Sequence, residues 1–242
     1  MNAHIPAPNA VTLRNLSRSF KGRTILDRVS LDIPHGQFVS LLGESGSGKT
    51  TLLRALAGLD DDAESQGHFQ VPVSTSVLFQ DSRLLPWKTV IDNVTLGLRR
   101  TDAKSTALDM LEAVGLGDKA HVWPSTLSGG QKQRASLARS LIRSPSLLLA
   151  DEPFGALDAL TRIRMQELLM RLVERERPTI ILVTHDVDEA LLLSDRILVL
   201  QDGRISEDHA ISLPHPRRSH QSELIDLRAK LLTSFGVSAD RV

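Results

Sequence analysis

The hydrophobic pattern changes character along the chain. Over residues 11–43 the apolar positions alternate with polar ones or form short runs, VTLRNLSRSF, RTILDRVSLDI and GQFVSLLG, separated by the turn signals KG and PHG. That pattern predicts three strands. Residues 49–59, KTTLLRALAGL, then take helical spacing and stop at a Gly. From about 81 to 145 the stretches LLPWKTVIDNVTLGL, TALDMLEAVGL and QKQRASLARSLIRS are mostly helix-patterned and separated by Gly and Pro. Beyond 145 the periods alternate. SLLLA and TIILVTH read as strands, ALTRIRMQELLMRLVERE as a long amphipathic helix, DVDEALLLS as a helix and DRILVLQDG as a strand.

Alternation of strand and helix predicts an α/β fold with a parallel sheet flanked by helices. The expected division is a core of 1–80 and 146–213, a helical subdomain of 81–145 inserted into it, and a helical tail of 214–242 with Leu224, Leu227 and Leu231 on one face.

At 242 residues, with 41% hydrophobic and 24% charged residues, the chain has ample material for a core. Lys+Arg and Asp+Glu are equal at 29 each, so charge gives no reason to expect nucleic acid or an anionic membrane. There is no cysteine, which excludes disulfides and thiolate chemistry. The first ten residues, MNAHIPAPNA, lack a signal-peptide pattern. The most apolar region, 179–200, is cut by His, Asp, Glu and Arg, so no stretch reads as a membrane span. The expectation is a soluble, unexported chain.

Residues 43–50, GESGSGKT, match G-x-x-x-x-G-K-[ST] between a predicted strand and a predicted helix. Glycines let backbone N–H groups close around phosphate oxygens, and the helix N-terminus adds its dipole. Lys49 is expected to reach the β and γ phosphates of a nucleotide, and the Thr50 hydroxyl to ligate Mg²⁺. The run SLLLADEP delivers Asp151 and Glu152 to a strand's carboxyl end, where ligands bind in open α/β sheets. Asp151 is placed to hold Mg²⁺ through the metal's water shell. Glu152 is placed to orient and deprotonate the attacking water in phosphoryl transfer to water. Two acids after an apolar run would ordinarily be a solvated strand end; beside a phosphate loop the balance reverses. His185 ends TIILVTH and Gln80 ends SVLFQ. Each is either structural or a partner of γ-phosphate, metal or water.

The stretch TLSGGQKQRASL, 126–137, is a second anion grip. Ser128 and the amides of Gly129 and Gly130 open a helix-patterned run, where a γ-phosphate would be held. An ordinary N-capped helix would explain this stretch alone.

GESGSGKT, Gln80, LSGGQ, LLLADE, the ALD of 156–158 and His185 together, in that order and spacing, resemble ABC-type ATPase domains over nearly the whole chain. The resemblance implies a P-loop NTPase core with a parallel sheet, an N-terminal antiparallel β subdomain and an inserted helical subdomain. It implies ATP with Mg²⁺, and a head-to-tail homodimer in which each ATP lies between the P-loop of one copy and the LSGGQ of the other. On that pattern Gly43, Glu44, Ser45, Gly46, Ser47, Gly48, Lys49, Thr50 and Thr51 bind one nucleotide. Ser128, Gly129, Gly130 and Gln131 bind the other, and Asp158 lies on the loop that crosses the dimer interface. Gln80 is implied to be the loop residue that senses a membrane partner and a metal or water ligand, Glu152 the catalytic base and His185 the switch histidine. Phe20 stands where the family stacks an aromatic on adenine. That residue is often Tyr, of which this chain has none. Ala150 is smaller than the family's usual residue before Asp151, which implies a local packing change.

A single ATPase unit without a membrane span resembles the separate subunit of a bacterial importer, peripheral on the cytoplasmic face of the inner membrane. The implied partners are two membrane-spanning permease subunits and a solute-binding protein, and no nucleic acid. DSRLLPWKTVIDNVTLGL, WPSTLSGGQKQR, DEPFGALDALTRIRMQELL and PHPRR resemble the nitrate/sulfonate/taurine importer group, and within it the aliphatic sulfonate importers. Trp87 with Leu84 and Leu85 either docks a helix of the membrane subunit or packs internally. Arg217 and Arg218 read as a solvated tail, or as residues near a partner or membrane. Nucleic-acid-remodelling ABC proteins usually carry two fused units or long coiled-coil insertions, which are absent from these 242 residues. A small-molecule P-loop kinase is disfavoured by LSGGQ and Glu152.

Overall fold

The computed structural model describes residues 9–236. The chain runs through β1 (Asn9–Phe20), β2 (Arg23–Pro34), β3 (Phe38–Leu42), α1 (Lys49–Ala57), β4 (Glu64–Gln70), β5 (Thr75–Leu78), α2 (Val90–Val94), α3 (Ala103–Ala113) and α4 (Gly129–Leu141). It continues through β6 (Leu147–Asp151), α5 (Ala159–Glu176), β7 (Thr179–Val183), α6 (Val187–Leu193), β8 (Arg196–Gln201), β9 (Arg204–Ala210) and α7 (Ile225–Ser234). The described residues fall into two compact units, 9–72 with 179–236 and Val73–Pro178.

In the first unit β2, β1 and β4 form an antiparallel sheet in that order. Lys21 (φ 49°) and Gly22 (φ 77°) both adopt left-handed conformations, the two-residue turn whose twist suits a hairpin, so Phe20 pairs with Arg23. The same unit holds the strand order β7-β3-β8-β9. β3 is parallel to β7 and β8, and β9 returns antiparallel beside β8. Every residue of β3 and β7 is buried, as a parallel strand covered on both faces requires.

The tail packs on this sheet. Leu224 and Leu231 are buried, and Leu227 and Phe235 partly so, against Leu42, Leu191, Ile197 and Val199. Arg217 is not a solvated residue: it is 2% exposed. Its Nε donates to the Leu213 carbonyl at 2.9 Å, its Nη1 to the Ser194 carbonyl, and its Nη2 meets Asp195 Oδ1 at 3.4 Å. Burial opposes the guanidinium's charge more strongly than Asp195 offsets it, and its occupied donors hold it in place. Arg218's side chain lies outside what the structure describes.

Burial raises the Asp195 carboxyl, but the His215 hydrogen bond, the Phe38 N–H and the Arg217 charge outweigh it and hold the group below the usual range. Arg217→Met therefore costs about 2–3 kcal/mol at neutral pH, from lost charge-assisted hydrogen bonds. That corresponds to a melting-point drop of roughly 5–10 °C in a chain of this size. A depressed carboxyl stabilises above its unfolded pKa and ceases to as pH falls through its folded value. The gap between wild type and variant in calorimetry should therefore narrow in acid; a gap that widens would contradict the Arg217–Asp195 link.

The second unit pairs β5 with β6 in parallel, with Leu78 level with Ala150. Its helices differ from expectation at one place. Of the helix-patterned 84–98 only α2 is helical. Pro86 lies within the non-helical part and disfavours helix at the residue before it, and the fully buried Asn93 ties that loop down. Its Nδ2 donates to the carbonyls of Leu85, Lys88 and Thr89, and its Oδ1 accepts from Leu85 N–H at 2.7 Å. One side-chain amide thus meets the backbone groups of the preceding loop that a helix would have paired.

Candidate functional site

The phosphate loop follows β3. Gly48 has φ 107°, and a β-carbon there would approach Leu26 Cδ2 to 2.9 Å. At Gly43 a β-carbon would lie 2.4 Å from the Leu200 carbonyl oxygen. Both positions admit only glycine, one for its backbone conformation and one for its neighbour. Lys49, 6% exposed, donates from Nζ to the carbonyls of Gly43 and Glu44, each at 2.7 Å, and so ties the loop's start to the helix that follows. An α-helix leaves its first N–H groups without intrahelical acceptors, so the turn at Lys49, Thr50 and Thr51 presents donors to an anion.

Beside the loop lies a cleft of about 690 Å³ lined by Arg23–Ile25, Glu44–Ser47 and residues 200–203. Phe20 is half-buried and pairs with Arg23 of that lining across the hairpin end, but does not itself line the cleft. The β3–β7 register sets Leu41 beside Val183, so the phosphate loop and the exposed His185 leave the same end of one strand pair.

In the second unit an analogous register joins the other candidates. With Leu78 beside Ala150, Gln80 and the pair Asp151–Glu152 emerge at one end of β5 and β6. Glu152 has φ 44°, a left-handed conformation that costs a non-glycine residue about 1–2 kcal/mol. Strain of this kind concentrates where a side chain must be aimed. A β-carbon on Gly155 would lie 3.4 Å from Gln80 Nε2 and 3.8 Å from Glu152 Oε2, so the amide and the carboxylate converge over one glycine.

The signature turn is a capping box at the start of α4. Ser128 Oγ accepts from Gln131 N–H at 3.3 Å, and Gln131 Oε1 accepts from Ser128 N–H at 2.9 Å. Gln131 therefore shapes the turn with its side chain. Because Ser128 Oγ accepts within the turn, its O–H proton remains available to an outside acceptor. Ser128–Gln131 and Asp158 line the same cleft of about 820 Å³, with Thr161 and Arg164 of α5. Asp158 also caps α5: Thr161 N–H donates to its Oδ1 at 3.0 Å, and the Thr161 hydrogen bond holds the carboxyl below its usual range.

The glycine-only cradle and the buried lysine suit a nucleotide's phosphates. In the first unit Thr50 offers a hydroxyl oxygen, and in the second Gln80 and Asp151 offer amide and carboxylate oxygens, each a hard donor of the kind Mg²⁺ takes. Among the described residues no group of three or more His, Asp or Glu could hold a metal unaided. The fit is to an ion bound largely by nucleotide phosphates.

Sequence reasoning missed three residues that shape this unit: Asn93, Gln133 and Arg139. Gln133 and Arg139 lie in the polar run QKQRASLARS, where nothing local separates a buried polar side chain from a solvated one.

The ABC transporter family model matches residues 26–155. The aliphatic sulfonates import ATP-binding protein SsuB 1 of Paracoccus denitrificans is 65% identical over all of both chains. The SsuB of Delftia acidovorans is 66% identical over 96% of this chain and 97% of its own. Among solved structures, the dimeric ATP-binding cassette MJ0796 bound to ADP and Pi superposes with a TM-score of 0.73 at 31% identity, covering 84% of this chain and all of its own. CbiO1 of Clostridium perfringens gives a TM-score of 0.77 over 95% of this chain and 98% of its own; at 23% identity it speaks to the fold alone.

Proposed function

Since the chain belongs to the ABC transporter family, we propose that it is the ATP-hydrolysing subunit of an importer for aliphatic sulfonates. The observation that carries the solute class is the 65% identity over the whole chain with a protein named for aliphatic sulfonate import.

In this reading the P-loop amides and Lys49 bind the β and γ phosphates of ATP, Phe20 stacks on adenine, and Thr50, Gln80 and Asp151 would hold Mg²⁺, which when bound would neutralise charge on the phosphates. Glu152 takes a proton from the attacking water, which bonds to the γ-phosphorus as the bond to the ADP oxygen breaks. His185 donates toward the γ-phosphate. Ser128, Gly129 and Gly130 grip the γ-phosphate held by a second copy, so that ATP joins the dimer and hydrolysis releases it. MJ0796, dimeric with ADP and Pi bound, supports a nucleotide-bound dimer.

Two permease subunits and a solute-binding protein complete the proposed assembly, with this chain peripheral on the cytoplasmic face. Among the described residues no helix is long and apolar enough to cross a membrane. Trp87 is 69% exposed and Leu84 and Leu85 are half-buried, which supports a docking surface beside the Gln80 loop.

The test is uptake of labelled alkanesulfonate and taurine in a strain lacking this gene. Alkanesulfonate uptake should vanish and return with wild type but not with Glu152→Gln. Unchanged uptake of both, with no redundant importer, would remove the sulfonate assignment.

A further inference from the structure

Helix α4 does more than present the signature turn at its N-terminus. One turn into it, Gln133 is 4% exposed and points inward. Its Nε2 carries two protons and donates to two carbonyls, Phe79 O and Pro153 O, each at 3.0 Å. Phe79 immediately precedes Gln80, and Pro153 immediately follows Glu152. A single amide therefore ties both of the loops whose side chains converge over Gly155.

A second side chain of the same helix holds the far side of the Gln80 loop. Arg139 donates to the carbonyls of Arg83 at 2.7 Å and Ser82 at 2.6 Å. The Arg83 guanidinium lies 3.6 Å from the Phe79 ring centroid. The loop around Gln80 is thus anchored at 79, 82 and 83 from α4, while Gln80 itself is left exposed. Glu152, held in a left-handed backbone conformation, depends on such outside restraint to keep its aim.

We propose that Gln133 is a positioning residue for hydrolysis: its amide makes the joint placement of Gln80 and Glu152 depend on the signature helix. The geometry makes α4 a lever whose exposed N-terminus meets nucleotide and whose first buried amide sets the hydrolytic pair. The proposal rests on the assignment of Gln80 and Glu152 to ATP hydrolysis made above.

The test uses the full-length chain. Gln133→Met keeps an unbranched side chain of similar volume and removes both donors. Its kcat should fall about 10- to 100-fold, the scale of a roughly 1 Å misplacement of catalytic groups, with KM for ATP within about threefold. Combined with Gln80→Ala, the loss should fall short of the product of the two single losses, because part of the Gln133 effect acts through the Gln80 loop and the rest through the Glu152 loop. A kcat within about threefold of wild type, or kcat and ATP affinity lost in parallel, would overturn the proposal, as would multiplicative losses in the double variant.

Should Gln133→Met not fold, hydrogen exchange on the wild type decides. Residues 79–83, 129–135 and 152–155 should gain protection together when a non-hydrolysable ATP analogue is added; independent responses would refute the link. Glu152→Gln serves as the control. If it hydrolyses ATP like wild type, the underlying site assignment fails. If it is inactive while Gln133→Met is fully active, only the positioning role fails.

Discussion

Glu152→Gln will bind ATP and fail to hydrolyse it, with phosphate release reduced about 10²- to 10⁴-fold, the range lost with a general base. The substitution preserves shape and changes chemistry: a carboxamide accepts a hydrogen bond from water but takes no proton at neutral pH. In the proposed site it also removes a negative charge near the γ-phosphate, so nucleotide binding should hold or tighten. The backbone at 152 already sits at φ 44°, and glutamine meets no greater steric penalty there than glutamate. Fold and loop geometry should therefore survive.

With hydrolysis blocked, the proposed sandwich cannot release itself, and the chain should accumulate as an ATP-dependent dimer. Light scattering with and without ATP, alongside a phosphate-release assay, reads both consequences. A variant that remains monomeric at every ATP concentration, alone and with membrane partners, would count heavily against the shared-nucleotide dimer. A variant that hydrolyses at wild-type rate would remove Glu152 from the reaction.

Lys49→Ala should lose turnover for a different reason, through binding and transition-state charge together. The ammonium is the buried cation of the phosphate loop, and charge-assisted hydrogen bonds of this kind contribute about 1.5–3 kcal/mol each. Removing a donor aimed at developing charge costs a further 10²- to 10³-fold or so in rate. Nucleotide affinity should thus fall at least about tenfold and hydrolysis to background.

The variant should still fold. Losing two charge-assisted hydrogen bonds to the Gly43 and Glu44 carbonyls costs about 3–6 kcal/mol, still within the roughly 5–15 kcal/mol stability of a folded domain. Titration calorimetry and circular dichroism on one preparation separate the two effects. Wild-type hydrolysis in a folded Lys49→Ala protein would disprove the phosphate-loop assignment. The pair of variants also discriminates roles: Glu152→Gln separates binding from chemistry, and Lys49→Ala removes both.

Much of this protein was legible from local pattern. The strand–loop–helix around GESGSGKT, the buried strands at β6 and β7 and the eighteen-residue α5 follow from period, composition and punctuation within a few residues of one another. So does the grouping of candidates by strand end, because ligand-bearing loops follow the carboxyl ends of parallel strands.

What the sequence concealed is of one physical kind. β4, ESQGHFQ, is exposed at every position and carries no hydrophobic alternation; it is a strand only because β1 offers it hydrogen bonds. Residues 84–89 have helical apolar spacing, yet Asn93 meets their backbone groups as a loop. Gln133, Arg139 and Arg217 read as polar residues in polar runs, and each is committed to carbonyls distant in sequence. Hydrophobic periodicity is written locally because one face of one element must leave water. The satisfaction of a backbone carbonyl is a property of whatever the fold brings beside it. The sequence alone thus determined the chemistry on offer and the elements that carry it. Only the tertiary structure decided which side-chain donors hold the Gln80 and Glu152 loops in place, because those partners lie 20 to 57 residues away along the chain.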